Sequence, residues 1–432
     1  MTISQERVQG RVSKLSLNAK EHVLHSEIIT NRRYSEETNS VAEMVANVTR
    51  MRYFKWLVSR KFVLDQDNVD TTLSDQARYC DSVIVSERER VTPNQRLLLE
   101  CESLRLKDKR QKLEQRQRVH ENVLQEVLAL TETMMRDQLL ATSPVQFFGR
   151  FPDFSYFTDI AYSPSLNISK LAVLTANDPM LRMEVLSLMK DERFLERIHR
   201  KPKQSSEPKV AIGTLGIDNC VRLFPILMSK SLVKWQEPAI KNIAPKLWQY
   251  MMVTANTTCL RLEVAGWRYP EQGLLLGVLH SLGMFTVVNQ YPSFFKEALA
   301  SKMQQYREQH KREEYYACAE VTLDMSVLPN LLTSLSQPLT RNILDYLSWA
   351  PSNQPIRIAI EEELNNVPIL ERSLLGIALA QGSAFSIYDS LERSKVFIDK
   401  HKPFWFARVQ MSAKDVSFLG QSHTGRLQLL EL

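Results

Sequence analysis

The side chains of this chain that could do chemistry are its histidines, acidic residues and cysteines, and most of their groupings lack partners. His22 and His25 share a helical face in EHVLH, a spacing that can hold a transition metal, but no third ligand accompanies them and chance is the better account. Cys80, Cys101, Cys220, Cys259 and Cys318 lie far apart. They form no CxxC pair or zinc-like spacing, and an odd number cannot all pair internally, which fits a reducing compartment. Gly213-Thr214-Leu215-Gly216 lacks the lysine of a phosphate loop and suits a tight helix–helix turn. Glu361, Glu362 and Glu363 are consecutive, so on a helix they point in different directions, and a solvated helix end explains them better than a carboxylate site. No nucleophile-elbow motif is present. The basic run His199 to Lys203 is expected to be a solvated connection, with anion contact the minor alternative. His280 stands in a segment apolar on nearly every face, Leu274 to Leu282, and should therefore be central and buried.

Helices must carry these residues. The chain has 432 residues, 44% hydrophobic and 24% charged, which is ordinary globular composition and excludes disordered, collagenous and fibrous classes. Its net charge of +6 comes from 55 basic against 49 acidic residues, so nucleic acid is permitted without being indicated. After Gly10 no glycine occurs until Gly149, while good helix formers fill the interval. A helix over 40–62 would align Val41, Met44, Val45, Val48, Met51, Phe54 and Leu57 on one apolar stripe. Asp65, Asp67, Asn68 and Asp70 favour turns in 60–89. Thr92-Pro93-Asn94-Gln95 reads as a capped helix start, and the helix should run to about Leu140 through LKDKRQKLEQRQRVHE, polar on every face. Leu106, Leu113, Val127 and Met134 keep a seven-residue step, but His120, Arg110, Gln117 and Thr131 spoil the seam, so a spacer helix is expected and a coiled coil stays open. Composition changes at Ser143. Asp178-Pro179 should cap a helix that buries Met180, Leu181, Val185, Leu186 and Met189, and Gly216 should end another. Residues 368–400 carry Leu370, Leu374, Leu375, Ile377, Leu379, Phe385, Ile387 and Leu391 for docking onto the bundle or for oligomerisation; Trp405 is a core lock or an exposed anchor. No series of short alternating strands occurs, so the fold class is all-α.

The ordered motifs DPML…VL.LM, VAIGTLGIDNCVRLFPIL, PKLWQYMMVTANTT and PEQGLLLGVLHSLG resemble the HDOD domain, a bacterial signalling relative of the HD phosphohydrolases, over about 143–363. The resemblance implies a multi-helix bundle in two subdomains and a regulatory protein without a fixed enzymatic activity. HD chemistry needs a His, a His-Asp pair and a distant Asp converging on divalent metal that activates water. Where the first ligand would stand this chain has Tyr250, and the pair becomes His280-Ser281. A protonated phenol and a neutral hydroxyl are poor ligands at neutral pH. Asp345, in RNILDYLSW, is the possible remaining cleft carboxylate. His280 is a remnant ligand or a buried histidine satisfied by a carbonyl or by the hydroxyl of Ser281 or Tyr250, the second being preferred; Tyr250 is expected to be a core aromatic whose hydroxyl finds one partner.

The resulting expectation is an N-terminal helical region over 1–90, a spacer helix over 91–142, an HDOD domain over 143–365 and a helical extension with a tail over 366–432. No catalytic residue, metal or cofactor is assigned. The chain is expected to be a cytoplasmic signalling component, since neither an apolar leader nor a membrane-length apolar run is apparent. Its bundle would bind a partner protein or small ligand, with homo-oligomers through the terminal helical regions an option. The alternatives are a residual metal-dependent phosphohydrolase and a nucleic-acid-associated regulator.

Overall fold

A computed structural model of the chain describes residues 27–63, 100–200 and 207–430. His22, His25, the turn-rich stretch from 64, the start at Thr92, Cys80 and residues 201–203 of the basic run lie outside the described residues. The described residues hold 17 α-helices and no strand. In chain order they are α1 (Glu36–Val58), α2 (Glu100–Leu139), α3 (Pro144–Phe148), α4 (Phe154–Ala161), α5 (Ile168–Asn177), α6 (Pro179–Leu188), α7 (Glu192–Arg197), α8 (Pro208–Leu215), α9 (Ile217–Lys230) and α10 (Ala244–Val264). There follow α11 (Gln272–Glu308), α12 (Arg312–Glu320), α13 (Leu328–Tyr346), α14 (Gln354–Leu364), α15 (Leu374–Arg393), α16 (Lys402–Arg408) and α17 (Ala413–Gln421).

Local chemistry sets many of the boundaries. Asp178 caps α6 by accepting from the backbone of Met180 and Leu181, and Pro179 takes the first helical position. Ser143 and Gln146 form a capping box at α3, and Ser412 and Asp415 form another at α17. Gly216 ends α8 at φ +78°, a conformation that favours glycine, so α9 begins at a sharp turn.

The short helices α5, α6, α8 and α9 pack on one another, and α9 joins them to a long-helix group in which α10 lies between α11 and α15. The backbones approach so closely that a Cβ on Gly273 or Gly277 would run into the backbone of Cys259 or Ala255 in α10, and one on Gly382 of α15 would meet Thr258. Residues 366–432 thus supply α15, which is buried at every position from Leu374 to Leu391. Leu370 precedes it and stays 42% exposed. Trp405 is a core residue, its indole Nε1 donating to the carbonyl of Ala384 at 3.0 Å. The tail beyond α17 is pinned across α9 and α10: Asn256 donates to the carbonyls of Thr424 and Arg426, and Asn219 exchanges two hydrogen bonds with Leu430. α11 is long and apolar enough to cross a membrane, yet its apolar window is 94% buried inside the bundle.

Two amphipathic expectations change. α1 buries Ala42, Ala46, Thr49, Tyr53, Trp56 and, from the expected stripe, Leu57, while Val41, Met44 and Val48 face solvent. The two alanines permit close approach to α16, and the large rings fill the space against α13 and α15, so shape complementarity overrides the count of aliphatic residues. α2 keeps only part of the seven-residue seam: Leu113 is exposed, whereas Val127 joins Val123, Thr131, Met135 and Leu139 in a stripe buried at four-residue steps. Thr131 is tolerated there because its hydroxyl donates to the carbonyl of Val127. The second half of α2 therefore belongs to the bundle, packing on α11 and α12. Met180 of α6 is also exposed, in contrast to Leu181 and Val185.

One buried cation ties these parts together. Arg261 of α10 has no exposed surface; it donates to Gln381 Oε1 of α15 at 2.7 Å, to Asp415 Oδ1 of α17 at 2.7 Å and to the carbonyl of Ile28 at 2.9 Å. Arg261→Ala strands Asp415 and Gln381, and loses packing as well as charge, so chemical denaturation should show a loss of about 3–5 kcal/mol. Lys at the same position should recover only part of that loss, because one ammonium cannot reproduce the fork.

Candidate functional site

A cleft of about 340 Å³ opens between α1 and α13, and His280 lines its wall. Asn47, Thr333 and Gln337 stand exposed around its mouth, whereas Tyr53, Tyr250 and Ser383 are buried deeper. Tyr250 comes from α10, His280 from α11, Ser383 from α15 and Glu363 from α14, so the long-helix packing brings together residues up to 133 apart in sequence.

The rings form a continuous wall. Tyr250 lies 5.5 Å from the ring of Tyr53 and 6.4 Å from that of His280, both pairs tilted by 37°. The Tyr250 hydroxyl reaches Ser383 Oγ at 3.5 Å, and burial pushes its phenol up to about 12. Ser281 is fully buried and turns away, donating to the carbonyl of Gly277 one turn back at 2.7 Å. His280 consequently does not have the hydrogen bond expected of it: Nδ1 is buried without a partner among the described residues. Burial is the main influence on the His280 imidazole and lowers its pKa, with Arg50 and Arg372 adding to the effect against Glu363.

Asp345 takes no part in this cleft. It sits exposed on α13 and pairs with Arg357 at 2.7 Å. The carboxylate of the cleft is Glu363, 7% exposed, and the expectation of a solvated helix end fails for it. The three glutamates do diverge: Glu361 accepts from Arg357, Glu362 accepts from the backbone and hydroxyl of Ser373, and Glu363 makes a buried ion pair with Arg372. Arg50 of α1 stands 3.6 Å from the other Glu363 oxygen. Burial opposes ionisation of Glu363, but Arg372 and Arg50 outweigh it and hold the carboxyl at about 2. A signal for this placement was present: Ile356, Ala359, Ile360 and Leu364 are the buried face of α14, and position 363 falls on that face. Nothing in the sequence pointed to Arg50 and Tyr53, because the aliphatic stripe placed the buried face of α1 elsewhere.

Residues 155–322 match the family model for the HDOD domain. This segment is an HDOD domain. No curated protein and no solved structure matched the chain. The match points to an HD-superfamily-related function for this segment. The matched segment supplies Tyr250, His280 and Ser281, while Arg50, Tyr53, Glu363 and Ser383 come from outside it.

The side chains of the HDOD cleft do not fit the divalent metal of HD hydrolases. Tyr250 keeps its proton, Ser281 is engaged with its own helix, and the carboxylate of Glu363 is neutralised by an arginine. Among the described residues no group of three or more His, Cys, Asp or Glu side chains gathers where one ion could be held.

The ion pair has a pH signature. The Glu363 carboxyl ionises near 2 when folded and near its ordinary 4.5 when unfolded, so the unfolded chain binds the proton more readily between those values. Its stabilisation is complete above about pH 4.5 and is lost as pH falls towards 2. In urea titrations at a series of pH values, Glu363→Gln should remove this part of the acid slope and cost about 3 kcal/mol at neutral pH, because Arg372 stays buried without its counter-charge.

Proposed function

We propose that the protein is a non-catalytic cytoplasmic regulator, a signal-transduction component whose HDOD bundle works by binding. The observation that carries this reading is the state of the cleft. Tyr250 and Ser281 occupy positions where the HD resemblance calls for ligands, and the one carboxylate within reach, Glu363, is neutralised by Arg372. Water activation at a phosphoester needs either a metal or a free general base, and a base must have its lone pair available near neutral pH. Among the described residues lining the cleft His280 is the one titrating group left for that task, and no described carboxylate orients it.

Binding is favoured by the construction around the same cleft. α1, from outside the HDOD segment, packs over the bundle on α13, α15 and α16, so whatever changes the cleft is felt directly by the N-terminal region. This gives a route from a bound molecule or partner to the rest of the chain without chemistry. Partner proteins would be met through apolar helix faces, for which the exposed Val41, Met44 and Val48 of α1 are available.

Elemental analysis of the freshly purified chain for manganese, iron, zinc and nickel tests the reading, paired with phosphodiester hydrolysis at saturating added metal. The expected result is sub-stoichiometric metal and the same background turnover in the native chain and in His280→Ala. Stoichiometric metal with turnover that disappears in folded His280→Ala would overturn it.

A further inference from the structure

We infer that the cleft beneath α1 is a binding site for a small organic anion with a planar apolar body, its acidic group held by Arg50 and its ring laid against the partly exposed Met51 and Phe54. The inference deepens the binding role proposed above and rests on it.

Charge selects the sign of the ligand. Among the described residues Glu363 is the one acidic group that lines the cleft, and its buried pair with Arg372 already balances it. Arg50 is then a second cation beside a neutralised carboxylate. It lies 3.6 Å from Glu363 and donates no hydrogen bond to any described residue, although its side chain is only 23% exposed. Its donors, still in part open to the cleft, can take a carboxylate or phosphate oxygen in the geometry a guanidinium prefers. Burial lowers the pKa of His280, so the imidazole adds a neutral donor or acceptor and leaves the single excess charge at Arg50.

Unpaired polar atoms mark the same space on three sides. The hydroxyl of Tyr53 on α1, Nδ1 of His280 on α11 and Oγ of Ser336 on α13 are all buried without a hydrogen-bond partner among the described residues. Tyr53 is wholly inaccessible, yet native interiors rarely leave such a group unsatisfied. Solvent alone would satisfy these atoms, but the same lining carries Met51, Phe54, Met284, Leu332 and Ile387, which water wets poorly. Polar anchors alongside apolar and aromatic wall suit a molecule having both characters. The volume of about 340 Å³ lies at the small end of ligand cavities, which span about 300–1,000 Å³.

Titration calorimetry on the full chain with three compounds distinguishes the elements of this claim: 2-naphthoate carries ring and charge, 2-naphthamide the ring alone, and acetate the charge alone. Saturable one-to-one binding of 2-naphthoate is expected, with both other compounds at least about 10-fold weaker. Arg50→Gln should weaken 2-naphthoate by about 10-fold or more. Ser336→Ala removes one hydroxyl on the opposite wall without disturbing α1, and should weaken it by a few-fold. A thermal melt confirms that each variant is folded. Absence of saturable 2-naphthoate binding, equal affinity for the amide, or affinity unchanged in both variants would each overturn the inference and leave the cleft filled with solvent only. Those results leave the regulatory reading in place when hydrolysis is also absent, whereas metal-dependent turnover at His280 would overturn that reading by itself.

Discussion

A guanidinium with no contact to water must be completely paired, and meeting that demand at Arg261 organises the molecule. Its partners come from the segment before α1, from α15 and from α17, which lie 233, 120 and 154 residues away along the chain. Gln381 extends the network by donating to the carbonyls of Ile28 and Val409. The chain before the first described helix and the chain after the family segment are therefore joined inside one core. Asp415 is the one charged partner among the described residues; its burial works against ionisation, but the Ser412 hydroxyl and Arg261 hold its carboxyl below the ordinary range.

The same closure makes the cleft. With α15 seated against α10, the HDOD segment receives a wall it does not encode, and with residues 27–35 held by Arg261 and Gln410, α1 is laid across the opening. Thr30 donates to Gln410 Oε1, and Gln410 donates back to the carbonyl of Arg32, so the approach to α1 is fixed by side-chain amide pairing. Arg50 and Tyr53 reach the interior from that helix. A site first recognisable through its relation to metal hydrolases is thereby lined by arginine, tyrosine and serine, groups that bind anions and hydroxyls more readily than cations.

The apolar character of α1 illustrates how sequence and tertiary structure differ in what they carry. Val41, Met44 and Val48 have the right period for a buried face, but Ala42, Ala46 and Tyr53 have the right shapes, and packing is decided by shape. Position 363 is the converse. A glutamate on an apolar face is read as solvated because an isolated buried charge is prohibitive, and that judgement changes only when Arg372, nine residues on, is known to fold back against it.

The sequence by itself determined the helical class, several helix limits and the family of the central segment, because those are encoded locally. Asp178 caps the backbone two and three residues away, Gly216 permits one turn, and the motifs run in order along a single stretch. It also determined that Tyr250 and Ser281 stand where the resemblance calls for ligands, since residue identity needs no coordinates. Only the tertiary structure decided which face of α1 is buried, that Asp345 is paired at the surface, that Glu363 is the carboxylate of the cleft and that Arg50 lies beside it. Each of these depends on a partner distant along the chain. A buried charge or hydroxyl acquires its ionisation state and its function from whatever is brought against it, and a period of three or four residues records nothing of that.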